Sequence, residues 1–323
     1  MKTIRLLGAF LGFLVFACGT AWSQPYPARP VRVVVVFPAG GGTDITARIV
    51  FQKVSEQMNQ QFPIDNRGGA AGMIGAAIVA KSPPDGYTIM VYSQTFINNF
   101  HLYPKKDVPF ELTDFAAVAM LVRFVGMLTV HPSMPVRTTK EFIALAKARP
   151  GELTYSSSGV GSSNHLAGEL LKLMAKIDIR HIPYKGVNPA LTDTIGGHVH
   201  MTFSGGPSLL PHLESGRLRA IAISTAQRSP AMPAVPTFDE SGVKGYEATN
   251  WFGLLAPAKT PKETVARLNN AVDTVIKNSE FRARFDKEVL ETVGGSPESF
   301  GKFLREEIDK YARVIKAAGI SKQ

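Results

Sequence analysis

Residues 33–44 read Val33-Val34-Val35-Val36-Phe37-Pro38-Ala39-Gly40-Gly41-Gly42-Thr43-Asp44. Four consecutive valines suit a strand buried on both faces, the habit of a parallel sheet. Pro38 cannot continue the ladder, and the three glycines permit a tight turn. Thr43 and Asp44 stand where a helix can start, and Ile45, Ile49, Val54 and Met58 recur along it. A strand that feeds a glycine turn and a helix leaves backbone N–H groups unpaired at the helix N-terminus. Those groups suit an anion. The rest of the chain must say which anion, and whether it is transformed or only held.

Strand-like and helix-like segments alternate almost throughout the 323 residues, which predicts α/β architecture with largely parallel sheets. Strands are expected at Arg32–Phe37, Tyr87–Tyr92, Leu153–Ser156, Ile179–Pro183, Val199–Phe203, Arg219–Ser224 and Asn250–Ala256. Ala116–Val130 reads as one extended stretch without a strong break. Helices are expected over Thr43–Gln60, Gly72–Lys81 and Asn164–Ala175. Thr138 and Glu141 have the form of a capping box. Thr260-Pro261-Lys262-Glu263 offers a second helix start, and Ser296-Pro297 a third.

The first residues have the pattern of an export signal. Lys2 and Arg5 precede the apolar run Leu6–Ala17, and Ala21-Trp22-Ser23 places cleavage before Gln24. The competing reading acylates Cys18, but Phe16 is bulky for that motif. Cys18 is the only cysteine, so residues 24–323 hold no disulfide and no cysteine nucleophile. The leader carries Lys2 and Arg5 and no acid, so cleavage lowers the formal charge from +10 to +8. The basic residues are scattered without an Arg-rich run, which argues against nucleic acid as a partner. A field of this sign favours anionic small molecules.

A second strand, small-residue loop and helix start lies at Leu153-Thr154-Tyr155-Ser156-Ser157-Ser158-Gly159-Val160-Gly161-Ser162-Ser163-Asn164-His165. If each loop belongs to its own lobe, two anion seats can face one cleft. That arrangement suits a clamp for a dicarboxylate.

Rival chemistries fail at specific residues. No lysine follows the glycines, so the phosphate-loop pattern is absent from both loops. Neither loop gives Gly-x-Gly-x-x-Gly, which argues against a dinucleotide cofactor. The serine-rich loop lacks the Gly-x-Ser-x-Gly elbow. Ser157 with His165 remains the pair that an exported serine-dependent hydrolase would use, and this is the alternative function. His198-x-His200 would place two rings on one strand face, but no third ligand stands at a telling spacing. No catalytic residue, metal site or cofactor is assigned. Asp44 reads as a first-turn or capping residue rather than an acid catalyst. Phe37 and Trp251 are candidate apolar walls, and Arg67 a candidate carboxylate partner.

These features together resemble one family, the substrate-binding proteins of tripartite tricarboxylate transporters, or Bug receptors. The resemblance rests on Tyr26-Pro27, Phe37–Asp44 followed by Ala47-Arg48, Asn66-Arg67, and Pro84-Asp85-Gly86-Tyr87-Thr88. It continues through His131-Pro132-Ser133, Pro183-Tyr184-Lys185-Gly186, Val235-Pro236-Thr237, Trp251-Phe252-Gly253-Leu254 and Ala256-Pro257. The chain departs from many relatives at Gly68, where they have proline, and at His200, where they have aspartate. Both departures are expected on the cleft side of the second lobe.

The resemblance implies an α/β, two-lobed periplasmic-binding-protein-like fold of type II, each lobe a sheet flanked by helices, joined by crossover strands. Residues 1–23 are the signal, 24–124 with 253–323 the first lobe, and 125–252 the second. The crossovers are expected near Arg123–Val130 and Asn250–Gly253. The implied function is a periplasmic, monomeric, non-enzymatic receptor that closes on a small di-, tri- or aromatic carboxylate. Membrane components of a tripartite tricarboxylate transporter are the implied partners. Carried over by motif, the ligand residues are Phe37, Ala39, Gly40, Gly41, Thr43 and Asp44 in the first loop. Ser156, Ser157, Ser158, Gly161, Ser162, Ser163 and His165 form the second, with Tyr184 and Trp251 beside them.

Overall fold

The computed structural model describes residues 26–287 and 289–320. The export signal, Cys18 and the cleavage position lie outside the described residues. The first part of the chain runs β1 (Arg32–Val35), α1 (Gly42–Met58), β2 (Ile64–Asn66), α2 (Met73–Ala80), β3 (Thr88–Ser93), α3 (Thr95–Leu102) and β4 (Phe115–Phe124). The middle runs β5 (Gly126–Val130), α4 (Thr139–Ala148), β6 (Thr154–Ser157), α5 (Ser163–Ala175), β7 (Arg180–Pro183), α6 (Val187–Ile195), β8 (Met201–Gly205), α7 (Gly206–Glu214) and β9 (Arg219–Ile223). The last part runs β10 (Asn250–Pro257), α8 (Lys262–Lys277), α9 (Ser279–Asp286), β11 (Leu290–Gly294) and α10 (Pro297–Ala317).

Two sheets result. The first has the order β11-β4-β10-β3-β1-β2 and the second β7-β6-β8-β5-β9. The fold is therefore the expected two-lobed α/β class, but the sheets are mixed rather than largely parallel. Strands β1, β2 and β3 run parallel, as do β6, β7 and β8. Strand β10 is antiparallel to both β3 and β4, and β5 to both β8 and β9. The physical cause is the crossover. A strand arriving from the other sheet enters from the opposite end to the βα units already there.

The expected single stretch Ala116–Val130 breaks at Val125, with β4 in one sheet and β5 in the other. The chain returns after β9, where the Ala248 N–H donates to Ser224 O at 3.0 Å, and enters β10 at Asn250.

The valine run behaves as a doubly buried strand. Val33 and Val35 lie in one buried cluster with Ala47, Val50 and Phe51 of α1. Val34 and Val36 lie in a second buried cluster, on the side of Met73 and Ala76 of α2. Each fully buried valine or leucine contributes roughly 1.5–3 kcal/mol. Ser296 caps α10 by accepting from the Ser299 N–H at 3.2 Å, and Thr138 and Glu141 form the expected box on α4. Thr260 does not cap α8. Its hydroxyl donates to Pro257 O at 2.7 Å, and Pro261 stands at the N-cap. No helix among the described residues is long and apolar enough to cross a membrane.

Candidate functional site

Strand β1 ends at Val35, and the turn delivers Gly41 as N-cap of α1 with no side-chain cap. Pro38, Ala39, Gly40, Gly41 and Gly42 are exposed. Asp44 is buried, and it staples the loop. Its Oδ2 accepts from the Gly40 N–H at 2.9 Å and from Arg48 Nε at 3.0 Å. Its Oδ1 accepts from Asn66 Nδ2 at 3.0 Å, which also donates to Phe37 O at 3.1 Å. Burial pushes this carboxyl up, but Arg48, the Gly40 N–H and Asn66 outweigh it and hold the group below the usual carboxylate range. Thr43 is buried beside it. Phe37 stacks on Tyr92 at 5.7 Å between centroids. Arg67 pairs with Asp65 at 2.9 Å.

The second loop is braced by its own side chains. Ser156 is buried and its Oγ lies 2.9 Å from Thr194 Oγ1. Ser158 donates to Asn164 Oδ1 at 2.8 Å, and Asn164 Nδ2 donates to Phe203 O at 2.8 Å. Ser162 caps α5 and donates to Gly159 O at 2.7 Å. Ser158, Ser162 and Ser163 are half-buried and carry the hydroxyls nearest to solvent in this loop. Tyr184 donates to Asp193 Oδ2 at 2.6 Å, and burial with that acid pushes its phenol up to about 12.

Ser157 does not pair with His165. Its Oγ lies 2.6 Å from His181 Nε2, and it accepts from the Gly159 N–H at 3.1 Å. The His165 ring stacks on His181 at 3.8 Å, and its Nδ1 accepts from the Gly161 N–H at 3.0 Å. A backbone donor on Nδ1 assigns the His165 proton to Nε2. Burial lowers both rings to about 4, with Lys172 adding to it for His165 and the neighbouring His165 for His181. A base that weak beside a serine shut from solvent is poorly matched to hydrolysis near neutral pH. The cluster instead braces the loop.

This brace makes stability pH-dependent. Between pH 6.5 and 4 the unfolded chain binds protons on these histidines that the folded chain refuses, so stability falls as pH falls through that window. The thermal midpoint should drop from pH 6.5 to 4, and His181→Gln should flatten the slope. An unchanged slope in that variant would refute the assignment.

Two glycine-led helix starts, one from each sheet, meet a single ring. A Cβ added at Gly42 would lie 3.5 Å from Phe252 Cζ and 3.9 Å from Phe124 Cζ. A Cβ added at Gly205, the N-cap of α7, would lie 3.0 Å from Phe124 Cδ1. Phe124 is half-buried and meets Phe252 edge-on at 4.8 Å. Like α1, α7 has no side-chain cap. Phe124 is not among the residues expected at the site, and Gly205 is expected only as part of a stretch, Met201–Gly206, that departs from the family on the cleft side of the second lobe. The signal was present: Met201–Gly206 repeats the strand-then-glycine form of the opening segment.

Trp251 is not a cleft wall. It is 0% exposed and packs edge-on against Phe300 at 5.6 Å and Phe303 at 5.7 Å. Alternation along β10 sends Trp251 and Phe252 to opposite faces, and Phe252 takes the place beside Gly42. Gly68 sits against Pro38 in the first lobe, not the second. His198 and His200 precede β8, and His200 Nδ1 accepts from the Thr154 N–H at 3.1 Å. Among the described residues no group of three or more His, Cys, Asp or Glu is placed to hold a metal. A surface hollow lined by Arg48, Phe51, Ser55 and Phe62 lies along α1 and shares no residue with either loop.

Residues 46–320 match the family model described as tripartite tricarboxylate transporter family receptor. Protein BugT of Bordetella pertussis is 34% identical over 323 residues, covering 99% of each chain. Among solved structures, Rpa4515 of R. palustris, determined with adipate, is 38% identical with a TM-score of 0.79, covering 92% of this chain and all of its own. MatC of Rhodopseudomonas palustris, determined with bound malate, is 30% identical with a TM-score of 0.74, covering 90% of this chain and all of its own.

Proposed function

The chain belongs to the tripartite tricarboxylate transporter receptor family, and we propose that it holds a small organic diacid between two lobes without chemical change. It is a solute-binding receptor of a periplasmic binding family. The first lobe is built on the sheet of β1–β4, β10 and β11 and the second on that of β5–β9, so Asn250–Phe252 go with the first. The carrying observation is the junction at Phe124, where uncapped helix starts from both sheets meet one aromatic ring. Backbone N–H groups at the start of α1 take one carboxylate. The start of α7, with the hydroxyl of Ser163, takes the other, while Ser158 and Ser162 give their protons to Asn164 Oδ1 and Gly159 O and hold the loop. Phe124 forms the floor beneath the apolar middle of the ligand.

Adipate in Rpa4515 and malate in MatC support a short aliphatic diacid over an aromatic one. Delivery is to membrane components of a tripartite tricarboxylate transporter, from a monomer exported by cleavage before Gln24. A ligand that binds only the folded state stabilises it by about 2.7 kcal/mol at a hundred times its Kd. A thermal-shift screen of mono-, di- and aromatic acids should therefore single out diacids such as adipate or malate, with the acid recovered intact. Ester or amide cleavage that is lost in Ser157→Ala, without stabilisation by any acid, would overturn this reading.

A further inference from the structure

Helix α3 reaches across the junction. Asn98 is 0% exposed, and its Nδ2 donates to Gly161 O in the second-lobe loop at 2.9 Å. A carbonyl can only accept, so the carboxamide nitrogen must face it. The Asn98 Oδ1 is buried without a partner. An unmet buried acceptor is a cost, which the contact made by the nitrogen must offset.

Gly161 is thereby held from both sides. Its N–H is taken by His165 of its own lobe and its carbonyl by Asn98 of the other. Its φ is +77°, and a Cβ there would run into Leu102. Leu102 lies one helical turn beyond Asn98, so the two share a face of α3. That face is a seat shaped for a bare glycine.

We infer that Asn98 is a positioning residue that couples the two half-sites: the Ser157–His165 loop takes its ligand-holding shape when Gly161 is seated on α3. This inference rests on the two-lobe diacid reading. A diacid spanning both lobes gains from the seat, whereas a monoacid engaging one lobe does not.

The test uses the full chain with Asn98→Ala and Leu102→Ala. Hydrogen exchange without ligand is the first measurement. Amides of residues 159–165 should exchange about tenfold faster in Asn98→Ala, while those of α8 stay unchanged. Leu102→Ala, which keeps the hydrogen bond and removes packing, should show the same pattern more weakly, and it keeps the test alive if Asn98→Ala fails to fold. The second measurement compares adipate with hexanoate. Adipate affinity should fall about tenfold, as for one lost hydrogen bond that leaves a carbonyl unmet, and hexanoate affinity less than about twofold. Unchanged exchange in the loop, a uniform rise across both lobes, or equal loss for the two acids would overturn the coupling. If adipate fails to bind the wild-type chain, the diacid reading fails, and the exchange measurement still decides whether α3 seats the loop.

Discussion

Asp44→Asn should weaken diacid binding by about tenfold, although it removes a negative charge from beside the anion seat. If Asp44 only repelled the ligand, its neutralisation would tighten binding. The geometry argues the reverse. Three donors converge on the carboxylate: the Gly40 N–H, Arg48 Nε and Asn66 Nδ2. A carboxamide presents one acceptor oxygen and one donor group, so at least one of these contacts becomes donor against donor. Hydrogen bonds to a charged group are worth about 1.5–3 kcal/mol each, and this carboxylate is almost wholly buried. Losing one frees the Gly40 turn or the Asn66 link to Phe37 O, and the backbone donors of α1 lose their fixed direction. Arg48 is the natural control. Its side chain is 52% exposed, so water can take over part of its role, and Arg48→Met should cost less than Asp44→Asn in stability and affinity. Titration calorimetry with adipate reads the effect, and tighter binding by Asp44→Asn would show the charge matters more than the staple.

The legible parts of this molecule were those where one segment answers to one requirement. Val33–Val36 could only be a strand buried on both faces, and the glycines after it could only turn. Thr138 and Ser296 cap because the residue three positions on supplies the partner. Parts that answer to distant residues were not legible. Helix α3 hides because Asn98 and Asn99 break its apolar pattern, and both face inward to meet other segments. Strand β2 spans only three residues and leaves no period to read. The serine loop was recognisable, but not where its hydroxyls go: Ser156 and Ser157 alternate along β6 toward Thr194 and His181. The same alternation decided between Trp251 and Phe252. Family motifs located both residues without saying which faces the junction.

Gly41→Val should abolish diacid binding, a loss of more than about a hundredfold, while leaving the fold nearly as stable. The two effects separate because of what surrounds this glycine. Gly41 has φ −77°, a backbone conformation open to any residue. A Cβ added there meets only Pro38 O at 3.4 Å. That Cβ makes an ordinary van der Waals contact and displaces no atom of the folded chain. Yet Gly41 is exposed at the uncapped start of α1, and a branched side chain would fill the space through which a carboxylate reaches the backbone donors. Gly40 offers the contrast. It has φ +80° with nothing within 4 Å of an added Cβ, so Gly40→Val would strain the backbone rather than crowd a neighbour. Left-handed backbone costs a non-glycine residue roughly 1–2 kcal/mol, which should appear as lost stability. Denaturant melts and adipate calorimetry on the two variants therefore give opposite signatures. A Gly41→Val protein that still binds adipate at wild-type affinity would remove the first loop from the site.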